Sequence, residues 1–336
     1  MNCSNTQYNY CIDLFKFIMA FFVVAIHSKL SLSVYDGKAL DFIFSLAVPY
    51  FFMVSGYLLF RKLDLSNFKF SQCKDRIILY LKKIVKMYII WTAIYFPLTV
   101  YGEISYGTSL FKAVVKFIRN FLFVGENFYS WQLWYLLGLC LAVLIIYMLL
   151  RLKICYKHIF VLSVCVFMSG IVLDVLNTGD IKAIALYYDL FVTTRNGIFY
   201  GFFYVSVGMY MSQKSFKLNV FDAVFVLVSI IGAFVLSNSE VLRIFTALLA
   251  FIVFKISLNL KIYHLRFGDV FRDMSVKIYL IHMYFIALYR VFYSANEDVF
   301  NYIGCFVFAL LCSIILSVII EYIEKTTSSR ILKLLF

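Results

Sequence analysis

Lys16 and His27 stand eleven positions apart in an apolar run, Asp13–Ser28, that reads DLFKFIMAFFVVAIHS. At 100° per residue that separation returns to nearly the same face of a helix, about 16 Å further along its axis. One face therefore carries a cation low and an imidazole high, with Asp13 three residues before the cation. Charged or titratable side chains cost at least ~2.5 kcal/mol each in hydrocarbon on insertion scales, so a spanning helix that keeps them is read as part of an active site. A neutral imidazole within hydrogen-bond reach of a substrate can take up and return a proton, which makes His27 the candidate acid–base group of that site. Asp13 and Lys16 are candidates for orienting the helix or touching a ligand. The competing readings are a helix-bridging hydrogen bond for His27 and a snorkelling side chain for Lys16.

Other stretches could complete a site. Val48–Phe60, VPYFFMVSGYLLF, combines a proline with Ser55 and Gly56, which permit a bend and close backbone approach. Lys83 and Lys86 share a helical face in a basic run and suit a phosphate-bearing ligand at the inner membrane surface, or ordinary anchoring. Trp131 and Trp134 in SWQLWYLL read as an interfacial aromatic belt or as carbohydrate-stacking platforms. Arg195 and Asn196, in TTRNGIFY, are either a helix cap with an interfacial anchor or a ligand-positioning pair. Ser275, Tyr279 and His282 fall at i, i+4 and i+7 on one helical face, where a structural hydrogen bond competes with a site role.

The elements that must position these residues follow from composition. The 336 residues are 64% hydrophobic and 15% charged, far from the roughly half and quarter of a soluble domain. The chain is expected to be an all-α polytopic membrane protein. A ruler of ~20 apolar residues per span gives about ten helices, over 12–32, 39–60, 80–101, 131–150, 158–177, 196–212, 218–237, 241–259, 275–294 and 299–321. Thr108–Tyr129 sets Lys112, Lys116 and Arg119 against apolar residues and suits an interfacial or re-entrant helix better than a crossing.

Alternate loops divide the cations 20 against 9, which predicts both termini in the cytoplasm. Among the 20 are Lys69, Lys255, Lys261, Arg266, Lys277, Arg330 and Lys333; among the 9 are Arg195, Arg243 and Arg290. The net charge of +13 is thereby assigned to helix orientation and an anionic leaflet rather than to nucleic acid. Eight cysteines, Cys3 among them, show no metal spacing, and no disulfide or metal is assigned. His158 and His264 lack a partner pattern. The first apolar run is too long for a signal-peptide core and is expected to remain as an anchor of a single membrane domain, 1–336.

Taken in order, DLFKFIMAFFVVAIHS, VPYFFMVSGYLLF, the basic start of the third span, LWYLLGL, RNGIFYGF and YLIH resemble acyltransferase family 3, the bacterial integral membrane acyltransferases. The resemblance covers almost the whole chain. It implies ten helices in a bacterial plasma membrane, with an acyl group, commonly acetyl from cytoplasmic acetyl-CoA, delivered to a hydroxyl of an envelope glycan or lipid-linked sugar. It also implies that His27 is catalytic, with Lys16 where the family carries Arg; Lys gives a point charge where Arg gives a planar fork. Lys83 and Lys86 match a second basic pair, which would meet the CoA phosphates, with Arg195 and Asn196 positioning donor or acceptor. Helix one and RNGIFYGF are also similar to the membrane domain of the vancomycin-resistance serine racemases, whose racemase portion is not expected here.

The donor's pantetheine arm would have to reach roughly 15 Å into the protein to approach His27. A transporter or flippase for a small polar solute or lipid-linked glycan is the alternative from another class, with His27 as a gate or proton carrier. Nothing in the sequence sets the oligomeric state.

Overall fold

The structure is a computed structural model that describes residues 10–33, 37–65, 70–235, 239–260, 262, 268–293, 301–327 and 335–336. Cys3, Lys69, Lys261, His264, Arg266, Arg330 and Lys333 lie outside the described residues. Thirteen α-helices account for most of what is described, and no strand occurs among those residues. They are α1 (Cys11–His27), α2 (Lys38–Phe44), α3 (Ala47–Phe60), α4 (Phe70–Ser105), α5 (Leu110–Arg119), α6 (Trp134–Arg151) and α7 (Tyr156–Val175). The series continues with α8 (Lys182–Phe191), α9 (Phe202–Ser212), α10 (Val220–Val235), α11 (Ser239–Asn259), α12 (Gly268–Tyr293) and α13 (Tyr302–Thr327).

Every stretch expected to span holds helix, and among the described residues six helical segments are long and apolar enough to cross a bilayer: 38–60, 131–151, 156–175, 241–259, 268–293 and 302–327. Large apolar side chains face outward along several of them, among them Val172, Leu311 and Ile315, as they also do on α10 through Phe221 and Leu227. Water would penalise that surface, whereas lipid accepts it. The protein is therefore a multi-pass membrane protein.

Pro49 lies in the first turn of α3, where its missing N–H has no intrahelical partner to lose. The break expected from it falls instead just before, between α2 and α3 at Ser45 and Leu46. Pro97 sits inside α4. α5 is ten residues long, rising about 15 Å, and buries none of its side chains; with Lys116 and Arg119 on its polar face it is an amphipathic surface helix, too short to cross. Lys116 reaches Glu103 of α4 at 2.7 Å. A π-turn, Asn120–Val124, then leads back toward α6.

Two seams hold the bundle together. α3 packs along α9, and α1 along α12, which also packs on α13. At the first seam the two backbones touch. A Cβ on Gly56 would lie 2.3 Å from the Val205 carbonyl oxygen, and one on Gly208 would lie 2.0 Å from that of Met53. Small residues facing each other let helices approach in this way where lipid supplies no hydrophobic drive.

Several cations counted as loop charges are buried within the bundle. Lys255 Nζ lies 2.8 and 2.9 Å from the two Asp222 oxygens, Lys277 Nζ 2.7 Å from Glu324, and Arg243 pairs with Asp174. Inside a bundle a charge is retained only with its counter-charge, so these three report on helix pairing rather than on topology.

Candidate functional site

The C-terminal end of α1, the junction of α2 with α3, and the N-terminal ends of α6 and α11 meet at one end of the bundle around a cavity of about 570 Å³. His27, the last residue of α1, forms part of its wall with Val23 and Ile26 one turn below. Asp41 comes from α2 and Ser45 from the residue that caps its end, Trp134 from the start of α6, and Arg243 and Thr246 from α11. Thr193, Arg195 and Tyr200 arrive from the segment between α8 and α9, and Glu126 from the turn between the Asn120–Val124 π-turn and α6.

Local sequence explains how that last turn reaches the cavity. Gly125 adopts φ +87°, a left-handed conformation that glycine takes without strain, and a Cβ there would meet the Trp134 Cα at 2.7 Å. The chain can thus turn tightly against α6 and lay Glu126 into the wall. Burial pushes the Glu126 carboxyl up to about 7, with no partner charge responsible.

Arg243 is clamped. Asp174, near the end of α7, accepts hydrogen bonds from Tyr188, Thr194 and Arg243, and Arg243 Nη1 also donates to Thr194 Oγ1 at 2.8 Å. The guanidinium and carboxylate side chains are 10% and 8% exposed. A fixed guanidinium therefore stands on the cavity wall, and the exposed Arg195 adds a second at its rim. Paired guanidiniums suit an anionic or carbonyl oxygen of a bound molecule.

Asn196 is spent on structure. Its amide oxygen accepts from the Ile198 and Phe199 N–H groups at 2.9 and 3.3 Å, and its nitrogen donates to Tyr187 Oη at 2.6 Å and the Thr193 carbonyl at 2.9 Å. It caps the π-turn Gly197–Gly201 that opens α9, and that turn carries Tyr200 to the cavity.

Behind His27 lies a layer of rings. The His27 ring stacks on Trp131, with centroids 6.5 Å apart and planes at 20°, and Arg290 lies 5.8 Å over the same indole. His282 of α12 is fully buried with its ring centroid 5.3 Å from that of His27. Tyr279, one turn earlier, packs on Phe51, Tyr135 and His282 and donates to the Gln132 carbonyl. Ser55 Oγ lies 2.9 Å from Tyr135 Oη, which donates to the Phe51 carbonyl.

The fold thus gathers His27, Trp134 and Arg195 on one cavity, with His282, Tyr279 and Ser55 in the layers behind. It does not bring Asp13, Lys16, Lys83 or Lys86 to that cavity. Asp13 is fully buried with Lys16 Nζ 3.4 Å from its Oδ1, and the two residues sit about 21 and about 16 Å down α1 from His27. Lys83 and Lys86 are exposed on α4. Asp41, Glu126 and Arg243 are cavity residues that motif reading passed over. Among the described residues no three His, Cys, Asp or Glu side chains group as metal ligands.

The titration of Glu126 gives a measurable consequence. Its folded-state value lies above the ordinary 4.5, so its contribution to stability is full below about pH 4.5 and is lost as pH rises through about 7. Glu126→Gln, permanently neutral, should therefore gain stability relative to the parent between pH 5 and pH 8. Thermal unfolding of both proteins across that range in one detergent checks this, and parallel pH profiles would contradict it.

The profile of the acyltransferase domain family, acyltransferase family 3, matches residues 9–322, and the chain belongs to that family. It is accordingly a multi-pass membrane protein of the acyltransferase type. A serine/alanine racemase of Enterococcus gallinarum is 29% identical over 294 residues, covering 82% of this chain and 40% of the relative. An amino-acid racemase of Enterococcus faecalis is 31% identical over 218 residues, covering 62% of this chain and 30% of the relative. The chain spans less than half the length of these curated relatives. No solved structure matches it.

Proposed function

We propose that the protein is a membrane O-acyltransferase that moves an acyl group, acetyl in the first instance, from acyl-CoA to a hydroxyl of a cell-envelope glycan or lipid-linked sugar. The observation that carries this reading is the position of His27: an imidazole on the wall of a cavity large enough for a sugar-sized acceptor, in a chain of an acyltransferase family.

In this reading the unprotonated His27 nitrogen takes the acceptor's hydroxyl proton as its oxygen attacks the thioester carbonyl. The C–S bond then breaks, and the departing thiolate takes that proton from the imidazolium. The clamped Arg243 and the rim Arg195 hold acceptor or acyl oxygens, and Trp134 offers an aromatic face. Lys83 and Lys86, exposed on α4, meet the CoA phosphates from the cytoplasmic side, while Asp13 and Lys16 line the donor's route along α1.

The topology belongs to the same proposal: ten crossings of a bacterial plasma membrane with both termini cytoplasmic and the cavity on the outer side. Support comes from the meeting of the C-terminal end of α1 with the N-terminal ends of α3, α6 and α11, as an alternating bundle requires.

Purified protein in proteoliposomes, given radiolabelled acetyl-CoA and an envelope glycan and lipid fraction, tests the reading. Label should move to an acceptor. Solute or lipid-linked glycan flux without acyl consumption would replace the enzyme by a transporter, and amino acids belong among the solutes because the relatives are named as racemases.

A further inference from the structure

His282 has one committed nitrogen and one idle one. Nδ1 lies 3.1 Å from the Ile278 carbonyl oxygen one turn back along α12. A carbonyl only accepts, so Nδ1 carries the hydrogen, and in the neutral ring the lone pair sits on Nε2. Nε2 is buried and has no hydrogen-bond partner among the described residues. A buried acceptor left unused is costly, which makes an unpaired imidazole nitrogen in a packed bundle a feature to be explained.

Beside it stands the His27 ring. The centroids stand 5.3 Å apart with planes inclined at 34°. Each imidazole nitrogen lies about 1.2 Å from its ring centroid, so an N–H···N bond of about 2.9 Å spans about 5.3 Å between centroids. The two rings are therefore near enough for a direct hydrogen bond once a nitrogen of each is turned to the other. No hydrogen bond among the described residues uses a ring nitrogen of His27, and its stacking on Trp131 confines the ring to one plane. Rotation about the Cβ–Cγ bond, with the ring finishing in the same stacked plane, exchanges its carbon and nitrogen edges toward His282.

We propose that His282 is the positioning residue of His27: its Nε2 accepts the N–H of one His27 nitrogen and thereby leaves the lone pair on the other, the one turned to the cavity. The backbone carbonyl of Ile278 fixes the tautomer of His282, and His282 fixes the tautomer of His27. A carboxylate performs this office in many hydrolases and acyltransferases; here a neutral ring does it, adding no net charge within the membrane. No proton leaves His282 during the reaction. The inference rests on the general-base reading of His27, and it assigns which end of that imidazole reacts.

Two measurements test it. In the proteoliposome assay with radiolabelled acetyl-CoA, His282→Leu should lower kcat roughly 10- to 100-fold, the scale on which loss of an orienting partner acts on an imidazole. KM for acetyl-CoA should stay the same, and His282→Gln, whose amide oxygen can accept the same N–H, should recover most of the rate. Wild-type kcat in His282→Leu, or a Gln variant no better than Leu, would overturn the proposal.

The second measurement needs no turnover. Solid-state 15N spectra of histidine-labelled wild-type protein, assigned by the peaks lost in His282→Gln, should show His282 protonated at Nδ1 and unprotonated but hydrogen-bonded at Nε2. Protonation at Nε2 would overturn the pair even if the Leu variant fails to fold. A wild-type protein that moves no label would sink the acyl-transfer reading alone, leaving the nitrogen spectra to decide on the His27–His282 pair.

Discussion

His27→Ala is expected to lower acyl transfer by about 10²- to 10⁴-fold, the contribution of a positioned general base. His27→Gln should be as poor, since an amide keeps the shape and a hydrogen bond but cannot take a proton. Neither change should unfold the protein. Loss of the imidazole on a cavity wall removes the ring contacts with Trp131 and His282 and the proposed bond to His282, with an expected cost of about 1–2 kcal/mol. Transfer of label from acetyl-CoA, measured beside thermal unfolding in the same detergent, separates the two effects. Near wild-type turnover by a folded His27→Ala protein would remove His27 from the chemistry.

The largest effect on stability is expected at Asp174. Its carboxylate takes hydrogen bonds from Tyr188, Thr194 and Arg243, so Asp174→Ala leaves the Arg243 guanidinium buried without its counter-charge. Breaking a buried pair on one side costs about 3–5 kcal/mol, while replacing both partners by apolar groups of similar volume is often close to neutral. The single variant should therefore be much less stable than the double variant Asp174→Leu with Arg243→Met. The double variant should nevertheless lose activity, because Arg243 forms part of the cavity wall. Equal stability of the single and double variants in denaturant titrations would mean that the pair is solvated and carries little energy.

The helices were legible because lipid imposes a simple ruler: an apolar run of about 20 residues must be helical, since no water is present to satisfy a bare backbone. His27 was legible for the opposite reason, as a polar group in a place that penalises it. The amphipathic pattern of residues 110–119 also read correctly, because a charge every third or fourth residue on a short helix has few other uses.

What escaped was the pairing. Asp174 in GIVLDVL and Arg243 in VLRIFTALL are each an isolated charge in an apolar run, and two such charges of opposite sign in different spans invite a match. Counted as loop cations, Arg243, Lys255 and Lys277 concealed it. Glu126 had no such signal, because its environment is made by a glycine turn and by helices distant in the sequence. Asn196 shows the reverse: a polar residue beside a candidate site whose four hydrogen bonds leave nothing over for a ligand.

The glycine seam between α3 and α9 bears on how molecules enter and leave. With Gly56 against the Val205 carbonyl and Gly208 against that of Met53, the two helices have no side-chain cushion between them. Sliding or parting them would open a gap with nothing to fill it, forfeiting the dispersion that holds them. These helices form the anvil of the protein, and a motion that admits a substrate costs less between helices that meet through side chains, as α1 and α12 do at Phe17 and Phe271. His27 and His282 ride on those two helices, so the motion that admits a substrate would also separate and rejoin the two imidazoles.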